Sequence, residues 1–321
     1  MTAHATPPEL RTERLTDHVF AFIQGDGGWG YANAGLVADG GQALLVDTFF
    51  TLAQTQRLRD ALTKVAPTSP VETVVNTHLN GDHCWGNQLF PDAEVITSEA
   101  NVAGAAHEVP PALFRHLQEQ PPPGQAGRYL LEHFGHFDFS GIHRVVPAVT
   151  FSQRMELSVG SVAVELLDVG PAHTDGDVVV HVPEAGVVFC GDVLFHRVHP
   201  VVWSGPLTTW VSACDRLLDT GAKTFVPGHG PLAARGDLCR FRDYLCHVQE
   251  HGAREARAGT PLEEAVRKIP LDAYERWSGP ERLVTALATV YRHLGVSAPQ
   301  QPMELLMPVA RLAQDFNPVR R

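Results

Sequence analysis

His78-Leu79-Asn80-Gly81-Asp82-His83 follows directly on Val71-Glu72-Thr73-Val74-Val75, an apolar run that reads as a buried strand and continues into Asn76-Thr77. Two imidazoles and a carboxylate within six residues of a strand end are metal-ligand chemistry on a rigid support. Three further turns follow the same plan. Gly170-Pro171-Ala172-His173-Thr174-Asp175-Gly176-Asp177, Cys190-Gly191-Asp192 and Val226-Pro227-Gly228-His229-Gly230 each come after an apolar strand and each present a His or an Asp on a Gly-containing turn. Four such turns in order point to one convergent site.

Working outward, residues 19–23 read as a strand and the Gly-rich stretch 25–30 as a hairpin loop. Residues 34–37 and 43–46 read as further strands of a mostly antiparallel sheet. Leu58, Leu62 and Val65, stopped by Pro67, predict a helix over residues 51–66. A second half repeats the logic, with strands at 162–169, 178–182, 187–190 and 224–226 and a helix at 207–218. Two comparable halves of strand, helix and strand predict an α/β fold, an αββα sandwich of two facing sheets with helices outside. Between the halves, residues 101–152 contain Pro121-Pro122-Pro123 and read as an insertion with helices near 112–119 and 128–134. Helical patterns at 238–251, 261–268, 280–294 and 303–313 predict a C-terminal helical extension. The division is thus a sandwich domain over residues 1–235 and an extension over 236–321 packed on it.

These motifs, in this order, resemble the metallo-β-lactamase-fold superfamily over residues 15–232. The family's first motif is His-x-His-x-Asp-His, and its later turns give a His, a bridging Asp and a final His that together bind two metal ions. Carried over by position, the resemblance assigns His78 and His173 to the first metal, Asp82, His83 and His229 to the second, and Asp192 to both. Zn2+, as one or two ions, suits imidazole and carboxylate donors, with iron or manganese as alternatives. Asn80 stands where the family has its second His, so the first site gains at most a weak amide-oxygen ligand. Asp192, where some true β-lactamases of the family carry Cys, points to the hydrolase and thioesterase branches. Asp82 is the candidate catalytic residue, able to orient water or accept its proton. Gly27-Gly28-Trp29, Asn33-Ala34-Gly35 and Gly86-Asn87-Gln88-Leu89-Phe90-Pro91 are further similar to the cyclase–thioesterases of bacterial aromatic polyketide pathways.

The neighbours of these motifs carry expectations too. Trp29 and Tyr31, on a hairpin that overhangs the metal cleft in the family, are candidate substrate-binding residues, as is His196, which follows Asp192 closely. His199 either lines the pocket or lies in a solvated loop. Asp175 and Asp177 are expected to cap or hydrogen-bond the turn that holds His173. Cys84 and Cys190 read as packing residues, and His107, His116, His133, His136 and His143 as solvated.

Composition sets the outer limits. The net charge of -11 opposes the phosphate neutralisation that a nucleic-acid or anionic-membrane surface demands. Five cysteines, an odd number, make no disulfide framework and fit a reducing compartment. Residues 1–14 lack the apolar core of a secretion signal, so a cytoplasmic location is expected. The expected activity is metal-dependent hydrolysis of a small or carrier-bound acyl thioester or related carbonyl compound, with aldol-type ring closure on a poly-β-ketone fitting the same site. An iron-dependent oxidoreductase of the same fold and a non-catalytic metal-binding protein are the alternatives, and a homodimer is the assembly considered.

Overall fold

A computed structural model of the chain describes residues 8–25 and 27–316. The first sheet contains β1 (Leu10–Arg14), β2 (Val19–Gln24), β3 (Ala34–Asp39), β4 (Gln42–Val46), β5 (Val71–Val75), β6 (Glu94–Ser98) and β7 (Val149–Phe151), hydrogen-bonded in chain order. The second contains β8 (Arg154–Val159), β9 (Val162–Asp168), β10 (Val178–Val182), β11 (Val187–Phe195), β12 (Thr224–His229) and β13 (Ala233–Ala234), again in chain order. Strand alternation divides each sheet into two apolar faces. Val19, Ala21, Val37, Val46 and Val75 pack against Val164, Leu166, Val178, Val180 and Val226 between the sheets. Phe20, Phe22, Leu36, Leu45 and Val74 point the other way, onto Leu58 and Leu62 of α1 (Leu52–Val65). The side-chain oxygen of Thr51 caps α1, accepting from the Gln54 amide at 3.2 Å. The outer face of the second sheet is covered by α6 (Leu207–Asp219), α7 (Arg235–Arg257), α8 (Leu262–Lys268), α9 (Leu283–His293) and α10 (Pro302–Phe316).

The first sheet is less antiparallel than its sequence suggests. β1 to β4 pair antiparallel, but β4 with β5, β5 with β6 and β6 with β7 are parallel, because α1 and the later connections cross over instead of folding back as hairpins. β7 also shortens the insertion at its C-terminal end, since residues 149–151 return to the sheet edge. What leaves the sandwich runs from α3 (Glu99–Gly104) through α4 (Pro111–Glu119) and α5 (Gln125–Phe134). The C-terminal helices share one apolar core with α6, Trp210 and Phe241 meeting with ring centroids 5.9 Å apart. Among the described residues, no helix is long and apolar enough to cross a membrane.

Candidate metal centre and substrate cavity

The four strand-end turns converge. α2 (Gly81–Cys84) follows β5 and carries Asp82 and His83, while His78 sits on the connection to it. His173 comes from the β9–β10 loop, Asp192 from within β11 and His229 from the last residue of β12. Asp192 lies at the hub. Its Oδ1 is 3.2 Å from His83 Nε2, and its Oδ2 is 3.4 Å from both His173 Nε2 and His229 Nε2 and 3.9 Å from His78 Nε2. Asp82 Oδ2 stands 3.5 Å from His229 Nε2. A side chain at Gly228 would collide with Asp192 Oδ1, so glycine at that position is a packing requirement of the site.

All four histidines turn Nδ1 outward to a partner that fixes their tautomer. His173 Nδ1 donates to the Val201 carbonyl at 2.8 Å and His229 Nδ1 to the Tyr31 carbonyl at 3.2 Å, acceptors that leave no choice of direction. His83 Nδ1 meets Asp47 Oδ2 at 2.9 Å. Thr77 gives its hydroxyl proton to Asp47 Oδ2 at 2.7 Å, so it accepts from His78 Nδ1 at 3.1 Å. Each Nε2 therefore points inward, with a lone pair on those of His78, His173 and His229, while His83 Nε2 faces the Asp192 carboxylate. His78 Nε2, His83 Nε2 and Asp192 Oδ1 are buried without a hydrogen-bond partner, an arrangement costly for polar atoms unless a cation fills it. Two compact ligand groups result among the described residues, His78 with His83 and Asp192, and Asp82 with His83 and His229. The residues present fit a bound divalent ion.

Electrostatics agree with that donor set. Burial opposes the Asp192 carboxylate, but His229, His83 and His173 outweigh it and hold its pKa well below the carboxylate range. Burial, then the neighbouring His83, holds His78 well below the usual imidazole value. His83 is the exception, because Asp192 and Asp47 on either side overcome its burial and raise it.

Asn80 lies at the edge of the centre with its amide orientation determined. Trp203 Nε1 donates to its Oδ1 at 3.1 Å, and its Nδ2 donates to Glu108 Oε2 at 2.7 Å. The oxygen thus faces inward, 2.8 Å from His173 Nε2.

A cavity of about 670 Å³ opens over the centre, with Asp82, His173, Asp192 and His229 in its floor. Its walls are aromatic and come from separate parts of the chain: Trp29, Phe50, Trp85, Phe114, Phe134 and Tyr129. Leu305, Leu306 and Val309 of α10 complete the enclosure, so the C-terminal helices shape the cavity and place no ligand in either metal group.

Several expected residues stand elsewhere. Tyr31 does not line the cavity; its hydroxyl meets His136 Nε2 at 2.8 Å, its ring packs on Phe137, and its carbonyl holds His229. His136 is accordingly half-buried and engaged instead of solvated, and the His133 ring packs at a tilt against Tyr129, centroids 4.2 Å apart. His196 also turns away from the cavity. Its Nδ1 lies 2.9 Å from the Pro231 carbonyl and its Nε2 3.4 Å from Asp237 of α7, so it pins the turn after His229. His199 is buried against Tyr244, neither lining the pocket nor solvated. Asp177 caps the His173 turn by accepting from the Thr174 amide and hydroxyl, and burial raises its pKa to about 7. Asp175 does not cap that turn; it bonds the Ser204 hydroxyl at the cavity rim. Cys190 is fully buried in the core. Asp47 is a site residue the sequence reading passed over, its one signal being an acidic residue closing the apolar run 43–46.

Known proteins resemble this chain in sequence or in fold. The 2,4-dinitroanisole O-demethylase subunit alpha of Nocardioides sp. (strain JS1661) is 26% identical over 231 residues, 70% of this chain and 56% of its own length. The structure of the stereoselective inverting sec-alkylsulfatase Pisa1 from Pseudomonas sp. aligns with a TM-score of 0.67 and 17% identity, over 88% of this chain and 50% of the sulfatase. A metallo-beta-lactamase family protein from Thermus thermophilus aligns with a TM-score of 0.62 and 20% identity, over 88% of this chain and 95% of its own. The chain thus spans about half the length of the demethylase subunit and of the alkylsulfatase. The sequence profile of the metallo-beta-lactamase superfamily matches residues 27–229, a span that begins in the hairpin of Trp29 and ends on the last histidine of the centre, and the chain belongs to that superfamily.

Proposed function

We propose that the chain is a metal-dependent hydrolase that cleaves an acyl thioester or related carbonyl compound carrying an aromatic or extended apolar group. The observation that carries this reading is the inward set of unpartnered donors, His78 Nε2, His83 Nε2 and Asp192 Oδ1, beneath an aromatic cavity. His78, His83, His173, His229, Asp82 and Asp192 would hold the metal. A zinc or similar divalent ion supplies Lewis acidity toward a carbonyl oxygen and makes water more acidic. Asp82, in the cavity floor beside His229, orients the attacking water and takes its proton. Asp47, Thr77 and the Val201 and Tyr31 carbonyls hold the imidazoles in one tautomer throughout. Trp29, Phe50 and Phe134 exclude water from the apolar part of the substrate.

The test is release of thiol from a benzoyl thioester of N-acetylcysteamine by metal-replete protein, alongside elemental analysis of protein purified without added metal. Turnover abolished by a chelator and restored by the metal found supports hydrolysis. Absence of turnover on aromatic and aliphatic thioesters alike rejects it. Conversion of a poly-β-ketone thioester to a cyclic product without free acid would assign the same site to ring closure. A second reading, hydrolysis of an aryl methyl ether to a phenolate and methanol, is favoured by the aromatic walls together with the demethylase relative. Release of coloured 2,4-dinitrophenolate from 2,4-dinitroanisole measures it directly.

A further inference from the structure

We propose that Arg282 is a specificity-determining residue that pairs with an anionic group, a carboxylate or equivalent oxyanion, on the aromatic or acyl substrate. The assignment rests on the hydrolase reading for the identity of the cavity's occupant. Arg282 lines the same cavity as Asp192 and His229 but belongs to the C-terminal helical part of the chain, immediately before α9. It is only 4% exposed, and its Nε is buried without a hydrogen-bond partner. Among the described residues no carboxylate forms an ion pair with it. A guanidinium removed from water in this way is costly until an anion meets it, and its planar fork matches a carboxylate.

The surroundings hold this cation in place without a direct ion pair. Its guanidinium carbon sits 4.3 Å from the centre of the Trp29 ring. Trp29 is itself fixed, since its Nε1 donates to the Tyr129 hydroxyl at 2.7 Å and that hydroxyl donates to Glu281 Oε1 at 2.9 Å. Glu281, the adjacent carboxylate, is therefore engaged by Tyr129. Gly279 supplies the space. It adopts φ 70°, and a Cβ there would fall 2.8 Å from Arg282 Nε. The cavity thus has a carboxylate-and-imidazole floor for the reacting bond and, at another wall, a buried cation laid on an aromatic ring. A neutral apolar substrate would leave that cation unmet. An anionic aromatic compound satisfies it and takes its orientation from it.

The experiment compares naphthalene-2-carboxylate with naphthalene-2-carboxamide, by titration calorimetry on the full, metal-loaded chain and on Arg282→Met and Arg282→Lys. We expect native protein to bind the carboxylate at least about tenfold more tightly than the amide, as a charge-assisted bidentate pair implies. Arg282→Met should lose about tenfold in carboxylate affinity while its amide affinity changes by less than about twofold, and Arg282→Lys should fall between. Equal affinities in native protein would overturn the proposal. So would a carboxylate preference unchanged in Arg282→Met, which would place the anion on the metal centre. If Arg282→Met does not fold, the neutral polar variant Arg282→Gln takes its place, with loss of the carboxylate preference expected and its retention overturning the proposal. A carboxylate preference that depends on Arg282 supports the assignment even if no ester is turned over, a result that would count instead against the hydrolase reading.

Discussion

Asn80 Oδ1 and His173 Nε2 face each other at 2.8 Å, and neither has a proton to offer. His173 has committed its Nδ1 proton to the Val201 carbonyl, and burial lowers its pKa, so a second proton is scarce at neutral pH. Asn80 cannot turn its amide nitrogen inward without losing both Trp203 and Glu108. Two lone pairs at this separation repel unless a cation draws them together. Asn80 is therefore a metal-facing oxygen donor, weaker than the imidazole it replaces. Metal titration of apoprotein should show a tight and a weaker site, or one tight site. Asn80→His should strengthen the weaker site and Asn80→Ala should weaken it. Two equally tight sites, unmoved by either substitution, would show that this position does not control metal occupancy.

His83 and His229 recur in the same ligand group, and neither contributes to the apolar cores. His83→Ala or His229→Ala should lose metal from that group while keeping the native far-ultraviolet circular dichroism. Metal content measured after gel filtration checks this, and full retention in both variants contradicts the ligand assignment.

Asp47 acts on the centre from one layer out. Its carboxylate receives the Thr77 amide and hydroxyl and His83 Nδ1, and its backbone takes φ 62°, a conformation that Asn tolerates better than most residues. Asp47→Asn should preserve the turn yet reduce the negative charge behind His83. Metal affinity should fall by about 10–100-fold with little change in melting temperature. Competition against a chromophoric chelator reads this, and an unaltered affinity would reduce Asp47 to a turn former.

The sequence showed much of this centre because its ligands follow apolar strands, and burial makes such strands legible. Less apolar strands were harder to see. Leu10–Arg14 is mostly polar and lies at a sheet edge, so it carries no hydrophobic alternation, and β7 is only three residues long. Asp47 was missed because its role comes from a contact across 36 positions with His83, which no local pattern encodes. Closeness in sequence to Asp192 suggested a pocket role for His196, but the backbone course after β11 sends its ring to the Pro231 carbonyl. The helices of the insertion and the C-terminal part were visible from their spacing. That they meet around one cavity, with Phe114 and Leu305 both in its walls, is a fact of packing alone.

The shared core gives a stability prediction. Leu287 of α9 is fully buried with Leu238, Phe241 and Val248 of α7. Leu287→Ala should cost about 2–5 kcal/mol in the unfolding free energy, the range for deleting a core leucine. A chain ended near Gly230 should be insoluble or unfolded, since it would bare the face that α7 and α9 cover. A cost below about 0.5 kcal/mol, the scale of a surface substitution, would mean α9 does not share this core.

His199 provides the pH dependence. Burial, reinforced by the Arg282 cation, pushes its pKa down from 6.5 to about 3, so the folded protein holds this imidazole neutral where the unfolded chain protonates it. The folded state then binds fewer protons between about pH 6.5 and pH 3, and its stability is lost as the pH falls through that window. At about pH 5 the shift amounts to roughly 2 kcal/mol at about 1.4 kcal/mol per pH unit below 6.5. His199→Gln removes the titration and keeps a polar group toward the Tyr244 hydroxyl, 2.9 Å from Nδ1 in the native chain. Urea unfolding at about pH 7.5 and pH 5 should therefore show the native protein losing about 2 kcal/mol more than the variant. Both proteins carry the same metal ligands, so metal-linked protons cancel in the difference. Equal losses in the two would mean that His199 is already charged in the folded protein, or that the acid-sensitive groups lie elsewhere.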